Sequence, residues 1–116
     1  MGWRVLVIED DPSLSTLVGL WLEEAGMHVT RASSVEQALE HIVMKNFGFD
    51  LLLADVNLPG TSGDSLVLRI RRHHPDIRAV VMSGSHRPPS LPERTVFLPK
   101  PFSDKELQSA ISDAMR

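Results

Sequence analysis

Glu9, Asp10, Asp55, Ser83 and Lys100 each stand at or just past the end of a short apolar run. Val5-Leu6-Val7-Ile8 precedes the acids Glu9 and Asp10, Leu51 to Ala54 precedes Asp55, Ala79 to Met82 precedes Ser83, and Thr95 to Pro99 precedes Lys100. Three carboxylates, a hydroxyl and an ammonium would meet if those runs lay side by side and pointed the same way. Carboxylates held close repel one another, and in a partly desolvated site one would take up a proton unless a cation intervened. Hard oxygen donors of this kind suit Mg²⁺, or Mn²⁺, with water completing an octahedron. Such a cation lets a carboxylate approach a phosphoryl group, and Lys100 and Ser83 are suited to hold the equatorial oxygens of the group in transfer. The product would be an acyl phosphate on Asp55.

Taken one at a time, these residues have plainer explanations. An acidic triplet such as Glu9-Asp10-Asp11 ahead of a helix serves capping and the helix dipole, and Asp11 keeps that assignment here. An Asp at a strand end often forms a turn, a Ser does the same, and a Lys is commonly a solvated charge. Their joint occurrence at the ends of four runs favours one shared site.

The elements that would position them alternate between strand-like and helical patterns. Trp3 to Ile8 is β-rich, and Pro12 suits the first turn of a helix in which Leu14, Leu17, Val18, Trp21 and Leu22 share a face, closed by Ala25-Gly26. His28 to Ala32 is the second run, with Ser33 or Ser34 as a cap for a helix carrying Val35, Ala38, Leu39, Ile42 and Val43 at helical spacing. After Leu51 to Ala54, the turn-rich Asn57-Leu58-Pro59-Gly60-Thr61-Ser62-Gly63 leads into a helix with Leu66 and Ile70 inward, ended by His74-Pro75. Ala79 to Met82 and Thr95 to Leu98 are the fourth and fifth runs. A last helix from about Ser103 presents Leu107, Ala110, Ile111, Ala114 and Met115 to the core.

Alternating strands and helices imply right-handed crossovers and a parallel sheet covered on both faces. The first, third and fourth runs are continuously apolar and read as interior strands; His28 to Ala32 alternates, and Thr95 to Pro99 ends in proline, so these are edges. That sorting matches an α/β, flavodoxin-like, doubly wound five-stranded parallel sheet of order 2-1-3-4-5. Between Ser83 and Thr95, the segment containing Pro88, Pro89 and Pro92 has no helical period, so the fourth crossover helix is expected to be short or absent.

Composition bounds the rest. A chain of 116 residues, 42% apolar and 23% charged, is one globular domain, 1–116, able to bury a core without a staple. It has no Cys, hence no disulfide, thiolate nucleophile or Cys-ligated zinc, which fits a reducing interior. Twelve basic and fifteen acidic residues give a net charge of −3, which argues against a nucleic-acid footprint. No apolar run approaches the roughly 18 residues that span a bilayer, so no membrane partner and a cytoplasmic location are expected. His28, His41, His73, His74 and His86 form no i, i+4 metal pair, and Trp3 and Trp21 lack a basic stripe and read as packing residues.

With Val5 to Asp11, Leu52 to Gly63, Val81-Met82-Ser83-Gly84 and Leu98-Pro99-Lys100-Pro101-Phe102 in view, the chain resembles a response-regulator receiver domain of two-component signalling, whether single-domain or of the hybrid-kinase type. The resemblance implies that Asp55 accepts a phosphoryl group from the phosphohistidine of a histidine kinase or histidine phosphotransfer protein and that an unidentified downstream protein reads the result. It implies that Glu9, Asp10, Asp55 and the backbone carbonyl of Asn57 hold Mg²⁺. Ser83 takes the switch hydroxyl position, Gly84 leaves the phosphoryl group room, Lys100 pairs with its oxygens, and the bond to Pro101 is cis. Phe97 occupies the aromatic switch position, although plain edge-strand packing explains it equally well. Asn57 and Ser85 stand where the family tunes dephosphorylation. The segment around Pro88 to Pro92 departs from the family by shortening the usual fourth helix, which puts that helix's output role in doubt. The family module catalyses its own phosphorylation and dephosphorylation and is not a turnover enzyme. Two other readings compete: a Mg²⁺-dependent phosphatase with an aspartyl nucleophile, weakened because position 57 is Asn rather than a second acid, and a pseudo-receiver that binds partners without phosphorylation, disfavoured by the intact acidic set.

Overall fold

The computed structural model describes residues 2–44, 48–58, 63–85 and 91–116. Its elements run β1 (Arg4–Ile8), α1 (Pro12–Glu24), β2 (His28–Ala32), α2 (Val35–Met44), β3 (Leu51–Asp55), α3 (Gly63–Arg71), β4 (Arg78–Ser83), β5 (Thr95–Pro99) and α4 (Asp104–Ala114). The five strands form one parallel sheet in the order β2-β1-β3-β4-β5, as the strand compositions imply. No helix is found among the described residues between β4 and β5, which are 84–85 and 91–94; the expectation for 86–90, Pro88 and Pro89 included, lies outside the described residues. Among the described residues no helix is long and apolar enough to cross a membrane.

Two cores form because successive strand residues point to opposite faces. Leu6, Ile8, Leu52, Ala54, Ala79 and Val81 face α2 and α3, meeting Val35, Ala38, Ile42, Leu66 and Ile70. Val5, Val7, Leu51, Leu53, Val80 and Met82 face α1 and α4, meeting Val18, Leu22, Leu107 and Ile111. Trp3 and Trp21 are partly buried against this second core, as packing residues. Val43 and Leu17, both assigned to inward faces by their spacing, are 66% and 42% exposed. At about 100° per residue Leu17 lies about 100° around from Val18 and Val43 about 140° around from Ala38, away from the centre of each buried stripe.

Local chemistry fixes the ends. Asp11 caps α1 by accepting from the Ser13 N–H at 3.0 Å, with Pro12 as the first helical residue. Ser34 Oγ accepts from the Gln37 N–H at 3.2 Å ahead of α2. Ser103 and Glu106 form a capping box on α4. His74 also has a packing role, its Nε2 accepting from the Phe49 N–H at 3.3 Å.

Arg71, at the end of α3, ties that helix to the approach to β5. Its guanidinium donates to the Ile77 carbonyl twice, at 3.1 and 2.9 Å, to Glu93 O at 2.6 Å and to Arg94 O at 3.1 Å. Burial, and then the positive charges of Arg94 and Arg78, lower its hold on a proton. The carbonyl of Arg94 belongs to a residue in the left-handed region, φ 54°, a backbone that the fork helps to hold. Arg71→Ala is expected to lower the free energy of unfolding by about 2 kcal/mol, read from urea titration, because bonds from a charged donor are the stronger kind.

Candidate functional site

The register determines which residues meet at the C-terminal rim. Ile8 pairs with Ala54, so Glu9 and Asp55 leave the sheet as neighbours; Asp55 pairs with Met82, and Ser83 with Pro99, which brings Ser83 and Lys100 alongside. Two of these positions close their strands rather than follow them, since Asp55 and Ser83 are the last residues of β3 and β4.

Lys100 is the centre of the arrangement. Its Nζ lies 2.8 Å from Glu9 Oε1 and 3.1 Å from Asp55 Oδ2. Glu9, Asp55 and Ser83 are buried, and Asp10 is exposed. Burial raises the pKa of Glu9, and the charge of Asp55 adds to that, against the bonds from Lys100 and from the Asp11 N–H. For Lys100, burial alone would lower the pKa, but the bonds to Glu9 and Asp55 outweigh it and the ammonium holds its proton more tightly than usual. The ammonium therefore serves two buried carboxylates at once.

A carboxylate oxygen from each of Glu9, Asp10 and Asp55 lies within 4.8 Å of the others. Ligand oxygens around Mg²⁺ sit about 3–4 Å apart, so a small adjustment would seat the ion. Lys100 supplies one positive charge against three carboxylates, and among the described residues no ion pair reaches Asp10. The donor set thus fits a hard divalent cation in both chemistry and charge.

Asn57 N–H donates to Asp55 Oδ1 at 2.8 Å, and Asn57 Nδ2 donates to Ser83 Oγ at 3.2 Å. Ser83 Oγ also accepts from the Ser85 N–H at 3.0 Å and lies 2.8 Å from Ser85 Oγ. The Lys100 N–H donates to the Ser83 carbonyl at 2.7 Å, which locks the two strand ends together. The Lys100–Pro101 peptide is cis. At Gly84 an added Cβ would stand 3.9 Å from Lys100 Cβ, so this position is open. Phe97 is apart from the cluster, half-buried on β5 and packed against the core under α2 and α3. An apolar groove lined by Leu14, Leu17, Trp21, Pro101 and Phe102 opens beside Lys100, with Trp21 and Phe102 rings tilted by 59° at 6.4 Å.

Every expected site residue except Phe97 therefore stands at the C-terminal rim of the sheet. Strand-end spacing brings Lys100 to the carboxylates but does not show that it bridges Glu9 and Asp55, or that the Ser83 hydroxyl sits among three donors and acceptors. Strand-end position was the readable signal, and hydrogen-bond direction was not.

The response regulator receiver domain family model matches residues 5–112. The sensor kinase CckA of Brucella abortus (strain 2308) is 32% identical over 118 residues, covering 96% of this chain and 12% of that protein. The DNA-binding transcriptional regulator NtrC of Azospirillum brasilense is 34% identical over 116 residues, covering 96% of this chain and 24% of the relative. The chain thus spans a quarter or less of the length of these two relatives. Among solved structures, the receiver domain from the hybrid histidine kinase CckA matches with a TM-score of 0.84 at 26% identity, over 97% of this chain and 99% of that one. The chemotaxis response regulator CheY4 of Vibrio cholerae shares the fold, with a TM-score of 0.85 at 22% identity over 98% of this chain and 99% of that one.

Proposed function

Because the chain belongs to the response regulator receiver domain family, we propose that it takes a phosphoryl group onto Asp55 from the phosphohistidine of a histidine kinase or histidine phosphotransfer protein. The observation that carries this reading is the junction of Glu9, Asp55 and Lys100, with Asp10 beside it, built from the ends of three strands. Glu9, Asp10 and Asp55, with the Asn57 carbonyl, would hold Mg²⁺, or Mn²⁺ in its place. When bound, the ion supplies positive charge that offsets the repulsion between the carboxylates and an incoming phosphoryl group.

In the step itself a carboxylate oxygen of Asp55 attacks phosphorus. The phosphorus–nitrogen bond of the donor breaks, its electron pair stays with the imidazole, and an acyl phosphate remains on Asp55. Lys100 is already placed against Asp55 Oδ2 and neutralises charge on the transferring oxygens without reorganising far. Gly84 leaves the entry open beside it. A donor protein would seat on the groove of Leu14, Leu17, Trp21 and Phe102 that adjoins Lys100. The added charge then draws Ser83 and Lys100 towards Asp55, and Phe97 follows the shift of the strand ends, presenting a changed surface to a downstream protein in the cytoplasm.

The module accepts one group and does not turn over an external substrate. Asn57 lies where an aspartyl phosphatase would need a second acid, and its side-chain amide donates to Ser83 instead. Incubation with Mg²⁺ and, in turn, acetyl phosphate and phosphoramidate tests this by intact mass. One phosphoryl group per chain is expected, none after chelation of the metal, and no steady hydrolysis of a simple phosphate ester; failure to label with either donor contradicts the reading. Asp10→Asn is expected to weaken Mg²⁺ binding at least tenfold, measured by calorimetry, since Asp10 is the acid with no ion-pair partner among the described residues.

A further inference from the structure

Ser83 is fully buried, so its hydroxyl depends on protein partners. A hydroxyl oxygen offers two lone pairs and one proton. Asn57 Nδ2 donates into one lone pair at 3.2 Å and the Ser85 N–H into the other at 3.0 Å. Both acceptor positions are then filled, and the contact that remains, Ser85 Oγ at 2.8 Å, must receive the Ser83 proton. The hydroxyl is thereby saturated, and its proton points at Ser85 rather than at Asp55.

We propose that Ser85 is a positioning residue: its hydroxyl is the acceptor that holds Ser83 in the resting orientation, and it sets how readily Ser83 turns to a phosphoryl oxygen on Asp55. The proposal rests on the phosphoacceptor reading of Asp55. Before phosphorylation, turning would leave the buried Ser83 proton without its acceptor, which is costly. After phosphorylation, an anionic oxygen replaces a neutral hydroxyl as acceptor, and charge-assisted bonds are the stronger kind. The same exchange is therefore unfavourable in one state and favourable in the other, which is what a switch with few moving parts requires.

Ser85 is exposed, so it tolerates substitution. Ser85→Ala keeps the backbone N–H bond to Ser83 and removes only the acceptor, while Ser85→Thr keeps the hydroxyl. The resting state of the Ala variant carries an orphaned buried donor, and its equilibrium moves towards the turned state. The test is calorimetric affinity for beryllofluoride, an acyl-phosphate mimic, at saturating Mg²⁺. Ser85→Ala is expected to bind about fivefold tighter than the parent, at the low end for an orphaned donor because water can reach the vacated position, and Ser85→Thr within about twofold of the parent. If the parent binds and Ser85→Ala binds equally or more weakly, or Ser85→Thr behaves like Ser85→Ala, the latch is wrong and the phosphoacceptor reading stands. If the parent itself fails to bind, that reading falls, and the latch with it.

Discussion

Asp55→Asn is expected to abolish phosphoryl uptake and to leave the protein as stable as the parent, or more so. An amide has no ionised oxygen to attack phosphorus, so labelling from any small donor is expected to drop by at least about a thousandfold, below what intact mass detects. Stability is the less obvious half. Asp55 is buried beside Glu9, whose pKa is raised first by burial and further by the charge of Asp55. Removing that charge relieves Glu9, and Lys100 keeps its 2.8 Å bond to Glu9. The unfolding free energy in metal-free buffer is expected to stay within about 1 kcal/mol of the parent, with any change on the stabilising side. Retained labelling would mean that another residue receives the group, and a large loss of stability would mean that Asp55 is mainly a structural anchor.

Lys100→Met separates two things that Lys100 does. In metal-free protein the ammonium bridges Glu9 and Asp55, and without it two buried carboxylates face each other. The side chain of Lys100 is 22% exposed, so water softens the effect, and a loss of about 2 kcal/mol is expected by urea unfolding. Mg²⁺ should restore most of it, because the ion takes over the role of counter-charge. Metal affinity itself is expected to rise, about three- to tenfold, since a positive group beside the cation site is gone. Phosphoryl uptake is nevertheless expected to slow by on the order of a hundredfold, the cost of losing one well-placed donor to the transferring oxygens. Tighter metal with slower labelling is a combination that neither misfolding nor a damaged metal site produces.

Much of the site was legible because a parallel sheet turns sequence order into spatial order. Once the runs ending at Ile8, Ala54, Met82 and Pro99 are strands of one sheet, the residues that follow must share a rim, and their chemistry can be judged together. The strand order was legible for a similar reason: Leu51 to Ala54 has no polar face to spare and must be central, whereas His28 to Ala32 can tolerate an edge. Arg71 was not legible. Its four bonds end on backbone carbonyls, which carry no side-chain signature and are placed only by the finished tertiary structure. Arg78 is a parallel case, its guanidinium reaching the carbonyl of Ala114, which ends α4, and that of Arg116 beyond it. The exposure of Val43 and Leu17 was missed because periodicity fixes the direction of an apolar face and not its width. Ser85 stood in a turn at the edge of the site; its bond to Ser83 depends on how that turn folds back, which spacing alone does not encode.

One carboxylate, that of Asp55, is proposed to become an acyl phosphate. The most direct measurement is to phosphorylate the protein with a small donor and Mg²⁺, reduce it with borohydride, and map the product by peptide mass spectrometry, since reduction turns an aspartyl phosphate into homoserine. Homoserine is expected at position 55 alone, and only when the divalent ion was present. Homoserine at Asp10 or Asp11, or a reduction-resistant phosphate on Ser83 or Ser85, would contradict it.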